Sequence, residues 1–405
     1  MISVEKAKEL ILNSVTATQK ETIPILDAEG RIISDDVISD CDIPFSDNSA
    51  MDGFAVVHTD TVLASKKNPV QLKIINEIQA GRHVQTKVEK NTAIRIMTGA
   101  PIPEGADAVI PVEDTSEETG VLKVFLSVKK HENIRFAGED IKKGDTIVTK
   151  GHIIRPPDIG LLASINHKEI KVFARPTVGI ISTGDEIVEI GDEIKPWQVR
   201  NSNAYLLYTE IKKCNAAPVY LGIAQDTPEK TKEKIDKALD CDIVITTGGV
   251  SMGKYDFVKD VLRKSGIDIV FENVKMKPGK PMVFGVKNQK LFFGLPGNPV
   301  SASVLFIQFV RPAILKAMGS IQIEKPVINA IIDEDISKKP GRKHFIRGRF
   351  YDRDGLIHVT STGPQGSGIL RSMSLANCLI IIEENAGSVK KGDTVSIQLI
   401  HHEEI

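Results

Sequence analysis

Cysteine is scarce: the chain has four, Cys41, Cys214, Cys241 and Cys378, and no C-x-x-C pair among them. That scatter argues against a disulfide framework or a thiolate metal site and fits a reducing cytoplasm. No sign of charge dominates, with 52 Lys and Arg against 53 Asp and Glu. No global field therefore exists to hold nucleic acid or an anionic membrane, and any anion site has to be local. Long hydrophobic runs are also missing. The longest apolar stretch, Val300 to Val310, falls short of the roughly 20 residues that a bilayer span needs. The first residues, Met1 to Val15, carry Glu and Lys at helical spacing and do not read as a signal peptide. A soluble protein is expected.

What is present is enough apolar residue, 41% of 405 positions, to fill two to four cores. Val4, Ala7, Ile11 and Val15 recur at helical spacing behind Ser3, a suitable N-cap. From Ile23 to about Val148 short β-rich runs such as 107-DAVIPVED-114 and 121-VLKVFLSV-128 alternate with Gly, Pro and Asn, so this half reads as mostly β. Arg155-Pro-Pro157 opens a helical run through Ala163, and Ala174-Arg-Pro176 marks a boundary. Beyond it the apolar runs 177-TVGIIS-182, 217-APVYLG-222, 242-DIVITT-247 and 291-LFFGLP-296 alternate with helical stretches near 202–214, 228–239, 254–264 and 300–318. That rhythm predicts a three-layer α/β/α domain with a parallel sheet covered on both faces. Thr227-Pro228 and Asn298-Pro299 are N-cap and N1 pairs, and Gly319 suits a helix stop. After Glu324-Lys-Pro326, short runs including 345-FIRGRF-350, 355-GLIHVT-360, 378-CLIIIE-383 and 394-TVSIQL-399 predict a small β-barrel.

In an open α/β sheet, ligands bind beyond the carboxyl ends of the strands. After 242-DIVITT-247 come Gly248, Gly249, Val250, Ser251, Met252 and Gly253, whose glycines let backbone approach a phosphate at a helix N-terminus. A lone Gly-Gly is usually only a tight turn; the hydroxyls of Thr246, Thr247 and Ser251 favour a ligand. Pro296, Gly297 and Asn298 open another helix toward the same edge, which taken alone is ordinary capping. Thr183, Gly184, Asp185 and Glu186 end the first strand, with two carboxylates able to hold Mg²⁺ or simply to be solvated. Asp256 lies on the first turn of the helix after the glycine loop, where a carboxylate is favoured in any case. Lys277-Pro-Gly-Lys280-Pro281 sets two cations on a rigid turn, which suits an oxyanion or is merely a surface turn. Jointly these loops predict an anionic, phosphate-bearing ligand with a divalent metal at one sheet edge.

The same motifs resemble the domain shared by molybdopterin adenylyltransferases and molybdopterin molybdenumtransferases, the latter being the MoeA and gephyrin E-domain family. Three segments outside that domain resemble the transferases: Pro44-Phe-Ser-Asp-Asn-Ser-Ala-Met-Asp-Gly-Phe-Ala55, 95-RIMTGAPIPEGADAVIPVED-114 and 341-GRKHFIRGRF-350. The resemblance spans essentially the whole chain. It implies a multidomain protein: an elongated domain I from 1–26 with 141–176, a β-rich domain II at 27–140, an α/β molybdopterin-nucleotide-binding domain III at 177–325, and a β-barrel domain IV at 326–405.

The activity it implies is insertion of molybdenum from molybdate into the dithiolene of adenylylated molybdopterin, with Mg²⁺-dependent hydrolysis and release of AMP. On that resemblance Gly248, Gly249, Ser251, Gly253, Pro296, Gly297, Asn298, Thr183, Gly184 and Asp185 bind the pterin nucleotide, while Asp185, Glu186 and Asp256 hold Mg²⁺. Lys277, Lys280, Arg347 and Ser367 match the molybdate site. By pattern alone Arg347, alternating with apolar neighbours, reads as an exposed strand residue. Asp52 and Thr98 match positions needed for activity together with Glu186 and Asp256; by themselves they are common turn residues. In the family this β-rich half reaches the partner's cleft, which implies a homodimer with composite sites. Phe54 stands where the family often has Tyr, leaving a packing role only. A molybdopterin adenylyltransferase and maturation proteins of molybdenum enzymes are the expected partners. The rival readings are the ATP-dependent adenylyltransferase itself, disfavoured by the additional domains, a gephyrin-like scaffold, disfavoured by the lack of a long linker, and a nicotinamide-nucleotide recycling protein, disfavoured by Ser49-Ala-Met-Asp-Gly53.

Overall fold

The computed structural model describes residues 1–82, 85–250 and 258–400. The chain packs as two compact units, one made of Met1–Asp35, Lys150–Arg155 and Ile170–Ile405, the other of Asp36–Thr149 and Pro156–Glu169.

The smaller unit is built on a six-stranded sheet in the order Ala108–Pro111, Gly53–Val56, Thr92–Ile96, Val70–Ile78, Val121–Val124, Thr115–Glu118. Only Val70–Ile78 and Thr92–Ile96 run parallel. Gly53 is required by close approach, since a Cβ there would stand 1.9 Å from the Ile110 carbonyl oxygen. Phe54 is buried in the core of this sheet, with the Arg95 guanidinium 4.8 Å from its ring centroid. The helix Pro156–Ser164 also belongs to this unit.

In the larger unit the first helix is Val4–Asn13, capped by Ser3, whose hydroxyl accepts from the Lys6 N–H. The central sheet has six strands in the order Ala217–Ala224, Thr177–Thr183, Ile243–Thr247, Lys290–Leu295, Val283–Lys287, Asp268–Glu272. The first four are mutually parallel, as the apolar runs predict. Val283–Lys287 runs antiparallel to both of its neighbours, so the sheet is mixed rather than wholly parallel. The hairpin between Val283–Lys287 and Lys290–Leu295 turns on Asn288 and Gln289, both at positive φ; with Gln in place of the usual Gly, the turn was not readable as a hairpin signal.

The strands are apolar throughout because both faces are covered. Ile180, Ile245 and Phe293 point into one core, and the adjacent Ile181, Val244 and Phe292 into the other. The Pro299–Ala317 helix forms much of the first. It is long and apolar enough to cross a membrane by length and composition, yet 89% of its apolar window is buried inside the protein. A π turn at Phe306–Val310 precedes Pro312, which has no N–H to give to the carbonyl four residues back and would clash with it in a regular helix.

The C-terminal strands are Val327–Ile332, Lys343–Arg353, Leu356–Ser361, Cys378–Ile382 and Thr394–Leu399. Pairing of Lys343–Arg353 with both Leu356–Ser361 and Cys378–Ile382 closes them into a five-stranded barrel around Ile332, Phe350, Val359, Ile380 and Ile397. A two-residue strand, Met276–Lys277, leaves the central domain and pairs parallel with Lys343 and His344 of the barrel. That pairing joins the lysine turn to the barrel wall.

Candidate active site

A cleft of about 770 Å³ opens at the carboxyl edge of the parallel strands. Three predicted loops meet in it: Thr183, Gly184 and Glu186 from the first strand, Gly248 and Gly249 from the third, and Pro296, Gly297 and Asn298 from the fourth. The loops are laced together by backbone, with Gly184 N–H donating to Ala224 O at 3.2 Å and Gly248 N–H to Leu295 O at 2.9 Å. Gly248 and Gly249 both have positive φ, and a Cβ on Gly248 would stand 2.6 Å from the Thr183 carbonyl. Only glycine lets these strand ends close up.

The Thr183 hydroxyl is spent inside, donating to Thr247 O at 3.2 Å, while the Thr246 hydroxyl is buried without a partner among the described residues. Ser251, Gly253 and Asp256 lie outside the described residues.

The two carboxylates behind Gly184 diverge. Glu186 lines the cleft. Asp185 borders a separate, smaller pocket beside it, and its Oδ1 accepts the Asp226 N–H at 3.1 Å. Asp226 itself lines the cleft and was missed in the sequence, where it is one acid in a loop before Thr227-Pro228. Also missed were Asn201, Ser202 and Asn203, which open the Ser202–Lys213 helix on the cleft wall. The string Asn-Ser-Asn was the available signal, a cluster of N-cap residues before an apolar-periodic run. Asn201 caps its helix by accepting from Ala204 N–H, and Asn203 donates to Gly297 O at 2.8 Å, tying this helix to the Gly297 loop.

Asn298 occupies the N-cap position of the Pro299 helix but its side chain makes no capping bond. The expected capping role is absent; instead Asn298 borders both the glycine cleft and a second cavity. Thr227, by contrast, does cap, accepting from Lys230 N–H.

The second cavity, about 590 Å³, shares Pro281, Pro296 and Asn298 with the first. It collects all four residues assigned to the oxyanion, Lys277, Lys280, Arg347 and Ser367, from three separate segments. The lysine turn therefore lies beside the glycine cleft rather than within it. Ser367 is held there because its carbonyl accepts the Val300 N–H at 3.1 Å.

Arg347 contradicts its pattern-based reading as an exposed strand residue: it is only 1% exposed. Its Nε–H donates to Ser372 Oγ at 3.0 Å and a terminal nitrogen to Gly366 O at 3.2 Å. Burial pushes its pKa down to about 10, and among the described residues no carboxylate pairs with it. Along this strand Ile346 and Phe350 point into the barrel, so Arg347 lies on the outer face, and here that face meets a polar cavity. Arg342, His344, Ser301, Ser337 and Gln365 also line this cavity, and among the described residues no Asp or Glu does. A buried guanidinium without a counter-charge is costly unless an anion completes it.

Asp52 and Thr98 are brought together in the smaller unit. The Asp52 Oδ1 accepts both the Thr98 N–H, at 2.7 Å, and the Thr98 hydroxyl, at 2.8 Å. These bonds hold the Asp52 carboxyl below its ordinary range. Both residues are exposed.

Three family models match the chain. Residues 2–166 match the MoeA N-terminal region (domain I and II), residues 179–316 a probable molybdopterin binding domain, and residues 329–400 the MoeA C-terminal region (domain IV). The class is thus a molybdopterin-binding α/β domain set between MoeA-type flanking regions. Among curated proteins, the molybdopterin molybdenumtransferase of Haemophilus influenzae is 39% identical over 99% of both chains. That of Bacillus subtilis is 35% identical over 99% of this chain and 95% of its own. The solved molybdopterin biosynthesis moeA protein of Pyrococcus horikoshii OT3 superposes with a TM-score of 0.86 at 32% identity, covering 99% of this chain and 100% of that one. The chain belongs to the molybdopterin molybdenumtransferase (MoeA) family.

Proposed function

We propose that the protein is a molybdopterin molybdenumtransferase of molybdenum cofactor biosynthesis: it takes adenylylated molybdopterin and molybdate, inserts molybdenum at the dithiolene and releases AMP. The observation that carries this reading is the adjacency of two anion sites of different character. The glycine cleft offers backbone N–H groups and helix N-termini suited to a nucleotide's phosphates. The cavity next to it gathers Lys277, Lys280 and Arg347 with no acid among the described residues, which suits a small tetrahedral dianion. Asn298, bordering both, stands where the two substrates would meet.

The donor set of the cleft fits Mg²⁺ in kind. Glu186 and Asp226 are hard oxygen ligands facing a phosphate-binding loop, and this ion is usually held by one or two carboxylates plus substrate phosphates. Bound there, the ion would neutralise charge on the phosphoanhydride. Asp185, turned to Asp226, would position that acid rather than ligate.

The protein is read as a cytoplasmic homodimer in which Asp52 and Thr98 serve the partner's site. Supporting this, both residues are exposed on the smaller unit. The same unit also exposes Phe45 and Leu63, apolar side chains of the kind an interface covers. All four cysteines are free thiols, consistent with a reducing compartment.

The test is AMP release from adenylylated molybdopterin with Mg²⁺, with and without molybdate, scored beside formation of active cofactor. Molybdate-dependent release with cofactor formation is expected. AMP transfer from ATP to molybdopterin, with no molybdate-dependent step, would make the adenylyltransferase reading correct instead.

A further inference from the structure

The cationic cavity contains one titratable group that the reading above leaves without a task. His344 sits on the barrel strand directly opposite Lys277 in the parallel pairing. It is half-buried, lines the cavity together with Arg347 and Lys280, and makes no side-chain hydrogen bond among the described residues.

Its surroundings are cationic on nearly every side. Lys277 faces it from the neighbouring strand, and Lys338 and Arg342 from the segment leading into its own strand. The strand on its other side contributes only apolar Ile382 at the paired position. The acids beyond, Glu383 and Glu384, are already engaged by Lys343 and Lys275. Ser301, Ser337, Ser367 and Gln365 complete the lining and are neutral. Burial first, then Lys277, Lys338 and Arg342, hold the imidazole pKa down to about 4, so the empty cavity holds a neutral ring near pH 7.

A dianion entering this cavity reverses the sign of the local field. Resting on the reading of this cavity as the oxyanion site, we infer that His344 is a proton-coupled binding residue: it takes one proton from solvent as a tetrahedral dianion docks among Lys277, Lys280 and Arg347. Protonated, both ring nitrogens are donors, and the charged ring adds a charge-assisted bond to an oxyanion oxygen. The linkage has a definite sign. The anion-bound state holds more protons than the empty state between the two pKa values of His344, so affinity rises as pH falls through that window. If the bound anion returns the ring to an ordinary value near 6.5, affinity rises about tenfold from pH 7.5 to 5.5.

The experiment is calorimetric titration of molybdate alone into the full-length protein at pH 7.5 and 5.5, and at one pH in buffers of different ionisation enthalpy. Wild type is compared with H344Q and with the double variant K277A/K280A. About a tenfold gain in wild type, a change of less than about twofold in H344Q, and buffer-dependent heats showing proton uptake only in wild type are expected. Comparing the two proteins cancels any protonation of molybdate itself. Equal pH dependence in wild type and H344Q, or wild-type heats independent of buffer, would overturn the inference while leaving the oxyanion site standing, provided K277A/K280A abolishes binding. Binding indifferent to K277A/K280A would overturn the oxyanion reading itself. Should H344Q fail to fold, H344N takes its place in the same comparison.

Discussion

Replacing Arg347 with methionine separates stability from binding in a way that few site substitutions do. The guanidinium is 1% exposed, holds Ser372 Oγ and Gly366 O, and has no carboxylate partner among the described residues. Removing it deletes a buried charge whose desolvation penalty is several kcal/mol, against the loss of two hydrogen bonds. The unliganded R347M protein should therefore stay within about 1 kcal/mol of wild type, or gain stability. Binding should behave oppositely. A charge-assisted hydrogen bond is worth about 1.5–3 kcal/mol, and a loss of about 2 kcal/mol raises the Kd for molybdate about 30-fold. Molybdate at a hundred times the wild-type Kd stabilises wild type by about 2.7 kcal/mol; after a 30-fold loss the same concentration gives about 0.9 kcal/mol. Denaturant unfolding with and without molybdate, beside direct calorimetry, reads both quantities. R347K, which keeps the charge and loses the planar fork, should fall between, with a loss of about tenfold. Molybdate affinity within threefold of wild type in R347M, or unfolding of that variant without anion, would refute the argument that this guanidinium awaits an anion.

Three further outcomes are expected. N298A should cost less than about 0.5 kcal/mol, because its side chain makes no capping bond, whereas T227A should cost about 1 kcal/mol; turnover should drop about tenfold or more in N298A and be unaffected in T227A, read by AMP release and denaturant unfolding. G248A should destabilise by about 1–3 kcal/mol and abolish nucleotide binding, since its φ is +96° and its Cβ would press on the Thr183 carbonyl; a well-folded G248A with normal nucleotide affinity would contradict the backbone-cradle reading. For Asp52, the Thr98 bonds lower the carboxyl pKa, so their contribution is present above the ordinary value near 3.9 and is lost only as pH falls through the lower, folded value; D52N should leave circular dichroism unchanged, flatten the acid side of the unfolding profile and lower turnover, while wild-type activity shows no acid limb from this residue above pH 5 or so.

The linear order of residues was sufficient for whatever depends on period and local turn chemistry. The four parallel strands announce themselves as unbroken apolar runs because both their faces are buried, and the glycine loops follow them at the only edge where a parallel sheet binds ligands. Ser3 and Thr227 cap as their positions require, and long segments such as Pro44–Ala55 were enough to point to the family. Tertiary packing settled matters in which a residue's neighbours are distant in sequence. Arg347 looks exposed by alternation, and only the segment carrying Gly366 and Ser372, folded against its strand, takes up the guanidinium. Asn298 looks like a cap, and only its place between two cavities shows its amide unspent. Asp185 and Glu186, adjacent in sequence, part company because Asp226, 41 positions on from Asp185, engages one of them and leaves the other to the cleft. Lys277 and His344 meet through a two-residue strand pairing that no periodicity encodes. Charge, burial and hydrogen-bond supply are properties of the space around a side chain, and that space is assembled from segments that the sequence keeps far apart.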